Sequence, residues 1–593
     1  MSSEIATILK SVDLNSFPSL ISAIQECDQK TELKKEDLNI FFLRNYTLEN
    51  IEPFLKFHAY QSGLKTNIKF GGYGTFHQEI LGGEVANQKT DLVVLTLMLE
   101  EMTSSYGMPE WNGKNEKEEI EKIINEVMNL TSATLVVNSF LRPFNFSIGS
   151  TQGNHLEVVD VVDEINNFLK NLCKKFGRRV VFIDWNIILS RQGREASLNY
   201  RDWYTSKAPF KKSFLNKFSE EINKVLVALK GRSKKCVILD CDNTLWGGIL
   251  GEDGLQKIQL DRHDYPGKVY YEFQKSLLRL VDRGIILGLC SKNNESDVME
   301  VLENHPNSLI KKKDLAIWKI NWDSKLKNLL DIAKELNIGL DSIVFVDDSS
   351  FECELINKNA PEVTVLQVPE KLHQYPQLLS ESGLFDHLAA TAEDLIRTQL
   401  YKEEDQRKKS ADNFKGVEDY LISLSIKVEI HTAVSSDLDR VSQLTQKTNQ
   451  FNLTTRRYSV GEIEQIAQSP DSMILTMSVE DKFGQLGLTG VCIIKKINNV
   501  AIVDSFLMSC RILGRNLEMA FADHCFKLAK TVWGVSQWQA SFIRTEKNQQ
   551  CKSFWPRFGF RPISIKEREI LYELSERDRV VSNISYIKII EEK

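Results

Sequence analysis

The stretch Cys236–Gly254 reads CVILDCDNTLWGGILGEDG. Four apolar residues, Cys236 to Leu239, stop abruptly at two aspartates one residue apart, Asp240 and Asp242. A short apolar run closed by polar residues predicts a strand buried on both faces of a parallel sheet. In such sheets ligands bind beyond the carboxyl ends of the strands. Paired carboxylates at that place point to chemistry.

The same rhythm recurs downstream in RGIILGLCS, SIVFVDDSS and EVTVLQVP. Polar residues follow at CSKNN (Cys290–Asn294) and VDDSS (Val346–Ser350), with NWDSK, ending at Lys325, between them. These residue types suit phosphoryl transfer. Asp240 is the candidate nucleophile, forming an aspartyl phosphate. Asp242 is the candidate general acid and base. Asp240, Asp242, Asp347 and Asp348 are candidate ligands for Mg²⁺, which favours hard carboxylate oxygens. The Ser291 hydroxyl and the Lys325 ammonium are candidates to bind phosphoryl oxygens and offset their charge. A lone Asp reads as a turn or cap residue; four elements in this order read as a site. The 51 residues from Asp240 to Ser291 are largely filled by one helix and a glycine-rich loop, leaving no room for a separate cap domain. In that loop Trp246 is expected to pack, and Gly247 and Gly248 to allow close backbone approach. Lys292, Asn293 and Asn294 are further candidate donors to a carboxylate or a second phosphate.

The series DxDxT, Ser, Lys and DD resembles the motif set of the HAD superfamily. Over about Cys236 to Arg407 the text LDCDNTLWGGILGEDG, NWDSKLKNLLDIAKELNIGLDSIVFVDDSSFE and TAEDLIRTQLYKEEDQR is similar to the FkbH-like branch. That resemblance implies a capless, Rossmann-like, Mg²⁺-dependent phosphatase and glyceryltransferase. Its substrate would be 1,3-bisphosphoglycerate, a small phosphorylated three-carbon compound. The glyceryl unit would be loaded as a thioester onto the phosphopantetheine arm of an acyl carrier protein, for polyketide-type methoxymalonyl or tetronate units. Cys290, and less so Cys241, are candidates to carry the acyl group, because a thiolate attacks an acyl phosphate readily. Direct transfer to the carrier thiol is the alternative. Two other readings stay open: a HAD phosphatase with an active acyltransferase domain in surface-glycan assembly, and a non-catalytic scaffold.

The flanks follow the same reasoning. Residues 1–44 read as amphipathic helices. Residues 45–232 alternate apolar strands with helical patterns, and YGTFHQEIL and KTDLVVLTLML resemble the SGNH-hydrolase-like domain that precedes the HAD unit in longer relatives. The first strand reads FFLRNYT, without a GDS-type serine, and Asp202 has no nearby histidine, so a binding role is expected there rather than hydrolysis. The HAD-like unit is placed at 233–385 and a polar helical connector at 386–425. Residues 426–593 read as an α+β unit. CRILGRNLEMAFADHCFKLAK resembles the acyl-CoA pyrophosphate loop and helix of a GNAT-like fold, with Arg511 and Gly514 matching and Asn516 in place of the last small residue. Acyl-CoA or carrier-bound phosphopantetheine is the ligand that resemblance implies. Arg456 and Arg457 are candidates to meet an acidic carrier.

The whole chain sets the frame. At 593 residues it needs several cores, and 42% apolar content supplies them. A net charge of −6, from 75 basic and 81 acidic residues, argues against nucleic-acid or membrane-surface binding. Ten cysteines without metal-type spacing fit a reducing compartment. No secretory leader or membrane span is read, so a cytoplasmic location is expected; the oligomeric state is not legible.

Overall fold

The computed structural model describes residues 3–30, 37–83, 85–86, 90–143, 157–386, 392–411, 413–414, 416–582 and 584–590. The part of the connector at 387–391 therefore lies outside the described residues. The chain divides into two compact units, residues 1–230 with 458–465, and residues 231–457 with 466–593.

The first unit holds a five-stranded sheet of β1 (Asp37–Arg44), β2 (Lys65–Tyr73), β3 (Leu92–Thr96), β4 (Thr134–Asn138) and β5 (Val180–Ile183). Every pairing is parallel and the order is β2-β1-β3-β4-β5. The expectation of a helical segment over 1–44 needs correcting. Helices occupy Ser3–Lys10 and Phe17–Gln29, but residues 37–44 form β1, paired on both sides. Leu38, Ile40, Phe41, Phe42 and Leu43 are all buried, an apolar stretch broken only by Asn39, with both faces covered. No nucleophile stands at the end of β1. The Asn45 amide bonds the backbone of Met98 in both directions, and Tyr46 Oη lies 2.6 Å from Thr96 Oγ1. Asp202 accepts from Asn199 near the start of a short helix.

The second unit contains β6 (Cys236–Leu239), β7 (Ile286–Ser291), β8 (Ile317–Ile320), β9 (Ile343–Asp347) and β10 (Thr364–Gln367). These form a fully parallel sheet in the order β10-β9-β6-β7-β8. The chain winds from β6 through β7 to β8 on one side, then returns to β9 and β10 on the other. β6 is thus where the winding reverses, the place where open α/β sheets bind ligands. Alternation along the strands fills both faces. Val237 and Leu239 pack with Phe273 and Val298, whereas Cys236 and Ile238 pack with Leu329 and Ile356. No further sheet is inserted between Asp240 and Ser291, only a loop and the helices Leu250–Asp253 and Gly267–Asp282.

The rest of this unit is a mixed sheet of β11 (Lys427–Thr432), β12 (Phe451–Asn452), β13 (Ser472–Asp481), β14 (Gly484–Ile497), β15 (Val500–Met508), β16 (Gln537–Ile543), β17 (Arg561–Ile565), β18 (Glu569–Ser575) and β19 (Lys588–Ile590). Most pairings are antiparallel, as the closely spaced strands predict, but β15 and β16 run parallel over Val500–Val503 and Gln537–Ala540. A buried ion network anchors the connector helix Arg397–Ala411 to this sheet. Arg407 makes two bonds of 2.7 and 2.8 Å to Asp481, and Arg515 reaches both Asp481 and Glu404. All ten cysteines are free thiols. Among the described residues no helix is long and apolar enough to cross a membrane.

Candidate active site

Four strand ends of the parallel sheet deliver the site. Asp240 follows β6, Ser291 ends β7, Lys325 opens the helix after β8, and Asp347 ends β9. The structure brings the carboxylates of Asp240, Asp347 and Asp348 together, with ligand oxygens all within 4.8 Å of one another. Lys325 Nζ bridges two of them, at 2.6 Å from Asp347 Oδ2 and 3.0 Å from Asp240 Oδ2. Asp240, Lys325 and Asp347 are nearly or fully buried.

One ammonium against three carboxylates leaves the site electronegative. Burial, then the charge of Asp240, pushes the Asp347 carboxyl up to about 6, and the same two causes raise Asp348. Burial opposes the Lys325 charge, but Asp240 and Asp347 outweigh it and hold its pKa above the usual lysine range. Three hard oxygen donors with uncompensated negative charge fit a divalent cation such as Mg²⁺. Asp240, Asp347 and Asp348 are the residues that would hold it.

The Asp242 side chain, expected as a further metal ligand, does not join this carboxylate group. Three donors fix it instead. Trp246 Nε1 (2.9 Å) and the Leu250 amide (3.1 Å) donate to Oδ1, and Asn293 Nδ2 (3.0 Å) donates to Oδ2. Trp246 therefore packs the loop, as expected, and also orients a carboxylate. The glycines keep this turn closed. Gly247 exchanges two backbone bonds with Gln259, and Gly248 sits at φ 93°, where a Cβ would lie 2.6 Å from Asp253 Oδ2.

Ser291 is buried, and its Oγ accepts from Asn293 Nδ2 at 3.2 Å. Asn293 thus ties the serine to Asp242. Lys292 pairs with Glu352 at 2.6 Å, and Asn294 bonds Asp297 and Trp322.

The cysteine expectations also need correcting. Cys290 is fully buried on β7 within the apolar layer under the helix that starts at Lys325, and burial pushes its pKa up to about 12. Cys241 is equally buried, and burial together with Asp240 raises its pKa well above that of a free thiol. Neither sulfur is a reachable thiolate. The even period of a strand explains this: next to Ser291, at the strand's end, Cys290 must point into a covered face.

Sequence reasoning missed Asn243, Gln274 and Tyr375. Asn243 adopts φ 52° and its amide oxygen accepts from the Gly248 backbone at 2.9 Å. Asparagine tolerates that left-handed geometry, a signal already present in DCDNT. Tyr375 donates to the Asn243 carbonyl and Gln274 to the Leu245 carbonyl. Nothing local marks either residue, because each acts across the fold.

In the C-terminal part, Gly514 has φ 81° and Asn516 φ 58° immediately before the helix Leu517–Trp533. Asn516 is thus in the left-handed region that asparagine tolerates. Arg511 lies in the short turn Cys510–Ile512, with Nε 3.4 Å from Ser509 Oγ. Arg456 pairs with Asp504 at 2.5 Å, and Arg457 donates to Asn449.

Comparison with known proteins agrees with the central part. Residues 235–379 match the family model described as NLI interacting factor-like phosphatase, which marks this segment as a HAD-like phosphatase domain. The N-terminal part of the protein BF1531 from Bacteroides fragilis, containing a phosphatase domain complexed with Mg, is similar in fold. It superposes with a TM-score of 0.56 at 22% identity, covering 62% of this chain and 98% of that one. The ribosomal-protein-S18-alanine N-acetyltransferase from Escherichia coli aligns with 27% of this chain and 97% of its own, at 11% identity and a TM-score of 0.21. A domain from Methanocaldococcus jannaschii aligns with 25% of this chain and 99% of its own, at 14% identity and a TM-score of 0.22. No curated protein matches the sequence.

Proposed function

We propose that the chain is an Mg²⁺-dependent phosphatase of the HAD type that works through Asp240. The observation that carries the reading is the joining of Asp240, Asp347, Asp348 and Lys325 at the reversal point of a parallel sheet. The Asp240 carboxylate attacks phosphorus, and the bond from phosphorus to the substrate oxygen breaks with its electron pair leaving on that oxygen. Asp242 gives that oxygen a proton, then takes one from the water that attacks the aspartyl phosphate, releasing phosphate and restoring Asp240. Lys325 offsets the charge of the transferring group. Mg²⁺, when bound, supplies charge neutralisation and orients the phosphoryl oxygens.

The finer reading rests on the FkbH-like resemblance. The substrate is 1,3-bisphosphoglycerate and the acceptor is the pantetheine thiol of an acyl carrier protein. The carrier thiolate attacks the acyl carbon, the carbon–oxygen bond breaks and phosphate leaves, forming a 3-phosphoglyceryl thioester. The remaining phosphate ester is then hydrolysed through Asp240. Since Cys290 is buried, transfer is direct. The SGNH-like and GNAT-like flanks serve the carrier and its pantetheine arm, in the cytoplasm.

Mass spectrometry of a carrier protein incubated with the enzyme, Mg²⁺ and 1,3-bisphosphoglycerate tests this. A glyceryl mass gain that persists with Cys290→Ser supports direct loading. Phosphate release without any gain on the carrier overturns the carrier reading and leaves a plain phosphatase.

A further inference from the structure

In the first unit the carboxyl ends of β3 and β4 open onto a cavity of about 380 Å³. The turn Leu99–Glu101 follows β3, Pro143 follows β4, and the helix Tyr200–Ser206 brings Trp203 and Tyr204 to the same wall. Open parallel sheets bind ligands at such strand ends. Among the described residues no serine or histidine lines the cavity. Its lining also falls outside the YGTFHQEIL and KTDLVVLTLML stretches that carry the hydrolase-like resemblance, so it is not a hydrolytic centre of that kind.

Three rings and two carboxylates set its chemistry. Tyr106, Trp203 and Tyr204 supply the rings, and Tyr106 is held against Trp111 with centroids 4.9 Å apart. Of the carboxylates, Glu101 is paired with Lys207, which neutralises both. Glu100 is different. It is half-buried, and among the described residues no cation lies within ion-pair distance of it. Arg194, a cation near Tyr106, donates to the carbonyls of Arg142 and Pro143. Burial, with the charge of Glu101, raises the Glu100 carboxyl above its ordinary value. The Tyr106 hydroxyl is likewise buried without a hydrogen-bond partner. A carboxylate in a partly dry, aromatic-walled cavity is costly until a positive charge joins it.

We infer that this cavity binds a small organic ammonium ion, with Glu100 as its counter-charge and the rings of Tyr106, Trp203 and Tyr204 as its walls. An ammonium is attracted both by a carboxylate and by the faces of aromatic rings, and the two attractions act on one charge. A neutral ligand of the same size, a sugar included, fills the space but leaves Glu100 uncompensated. The volume, at the small end for ligand cavities, suits an amine about the size of choline. The Tyr106 hydroxyl offers a further hydrogen bond to a polar group of the ligand. The inference does not rest on the reading of Asp240.

Calorimetric titration of the full-length protein tests it. The probes are choline, ethanolamine and 3,3-dimethylbutan-1-ol, in which carbon replaces the charged nitrogen of choline. Saturable binding of choline or ethanolamine, with the alcohol bound at least tenfold more weakly, supports the proposal without any mutation. Which amine binds tells a quaternary ligand from a primary one. Glu100→Gln keeps the size of the side chain and removes its charge, and is expected to weaken the bound amine roughly tenfold. Failure of both amines to bind, an alcohol bound as tightly as the amines, or unchanged amine affinity in a folded Glu100→Gln protein overturns it.

Discussion

Lys325 joins two buried carboxylates, so its replacement separates electrostatics from chemistry. Lys325→Met leaves Asp240 and Asp347 facing each other without a cation. Breaking a buried pair of this kind costs about 3–5 kcal/mol, and thermal unfolding in EDTA should show that loss. Added Mg²⁺ is expected to restore more stability to this variant than to the wild type. Asp347 gives a pH signature in the metal-free protein. Its carboxyl, at about 6 in the fold, lies above the ordinary value of 3.8. The folded state therefore holds this proton more tightly than the unfolded chain does. That stabilisation is complete below the ordinary value and disappears as pH rises through about 6. Melting temperatures in EDTA should fall across that window, and Asp347→Asn should remove this component of the slope.

The turn Asp240–Gly254 shows how an element makes a site out of residues that individually look ordinary. Trp246 is buried and its ring nitrogen donates to Asp242, so it acts as a positioning residue. Trp246→Phe retains an aromatic ring and deletes that donor. We expect kcat to drop about tenfold or more, with KM nearly unchanged and a shifted limb in the pH profile. A fall in melting temperature with unaltered kinetics would mean that Trp246 only packs. Gly248→Ala forces a Cβ into Asp253 at a positive φ, a strain of roughly 1–3 kcal/mol, and should lower both stability and turnover. The strands of the phosphatase sheet and the four polar strand ends were legible because each is a local pattern: an apolar run, then a polar residue. The orientation of Asp242, the burial of Cys290 and the roles of Gln274 and Tyr375 were not. Those depend on which face a strand end covers and on partners far along the chain. The helical segment read over 1–44 ran too far for a related reason, since a strand covered on both faces lacks alternation, and only its end, FFLRNYT, was read as a strand.

At the scale of the molecule, the phosphatase sheet and the C-terminal mixed sheet fall within one compact unit, with the connector helix pinned by Arg407, Asp481, Arg515 and Glu404. Asp481→Ala leaves two buried guanidinium groups short of a partner. Stability should drop by about 3–5 kcal/mol, read as an earlier thermal transition. The central claim is that Asp240 performs phosphoryl chemistry with a divalent cation held by its neighbours. Phosphate release from a small organic phosphate ester, followed for the full chain with Mg²⁺ and with EDTA, in the wild type and in Asp240→Asn, tests it most directly. The account predicts turnover only for the wild type with Mg²⁺, while Asp240→Asn remains folded and inactive. Equal phosphate release by the wild type and Asp240→Asn, or by the wild type in EDTA, would contradict it.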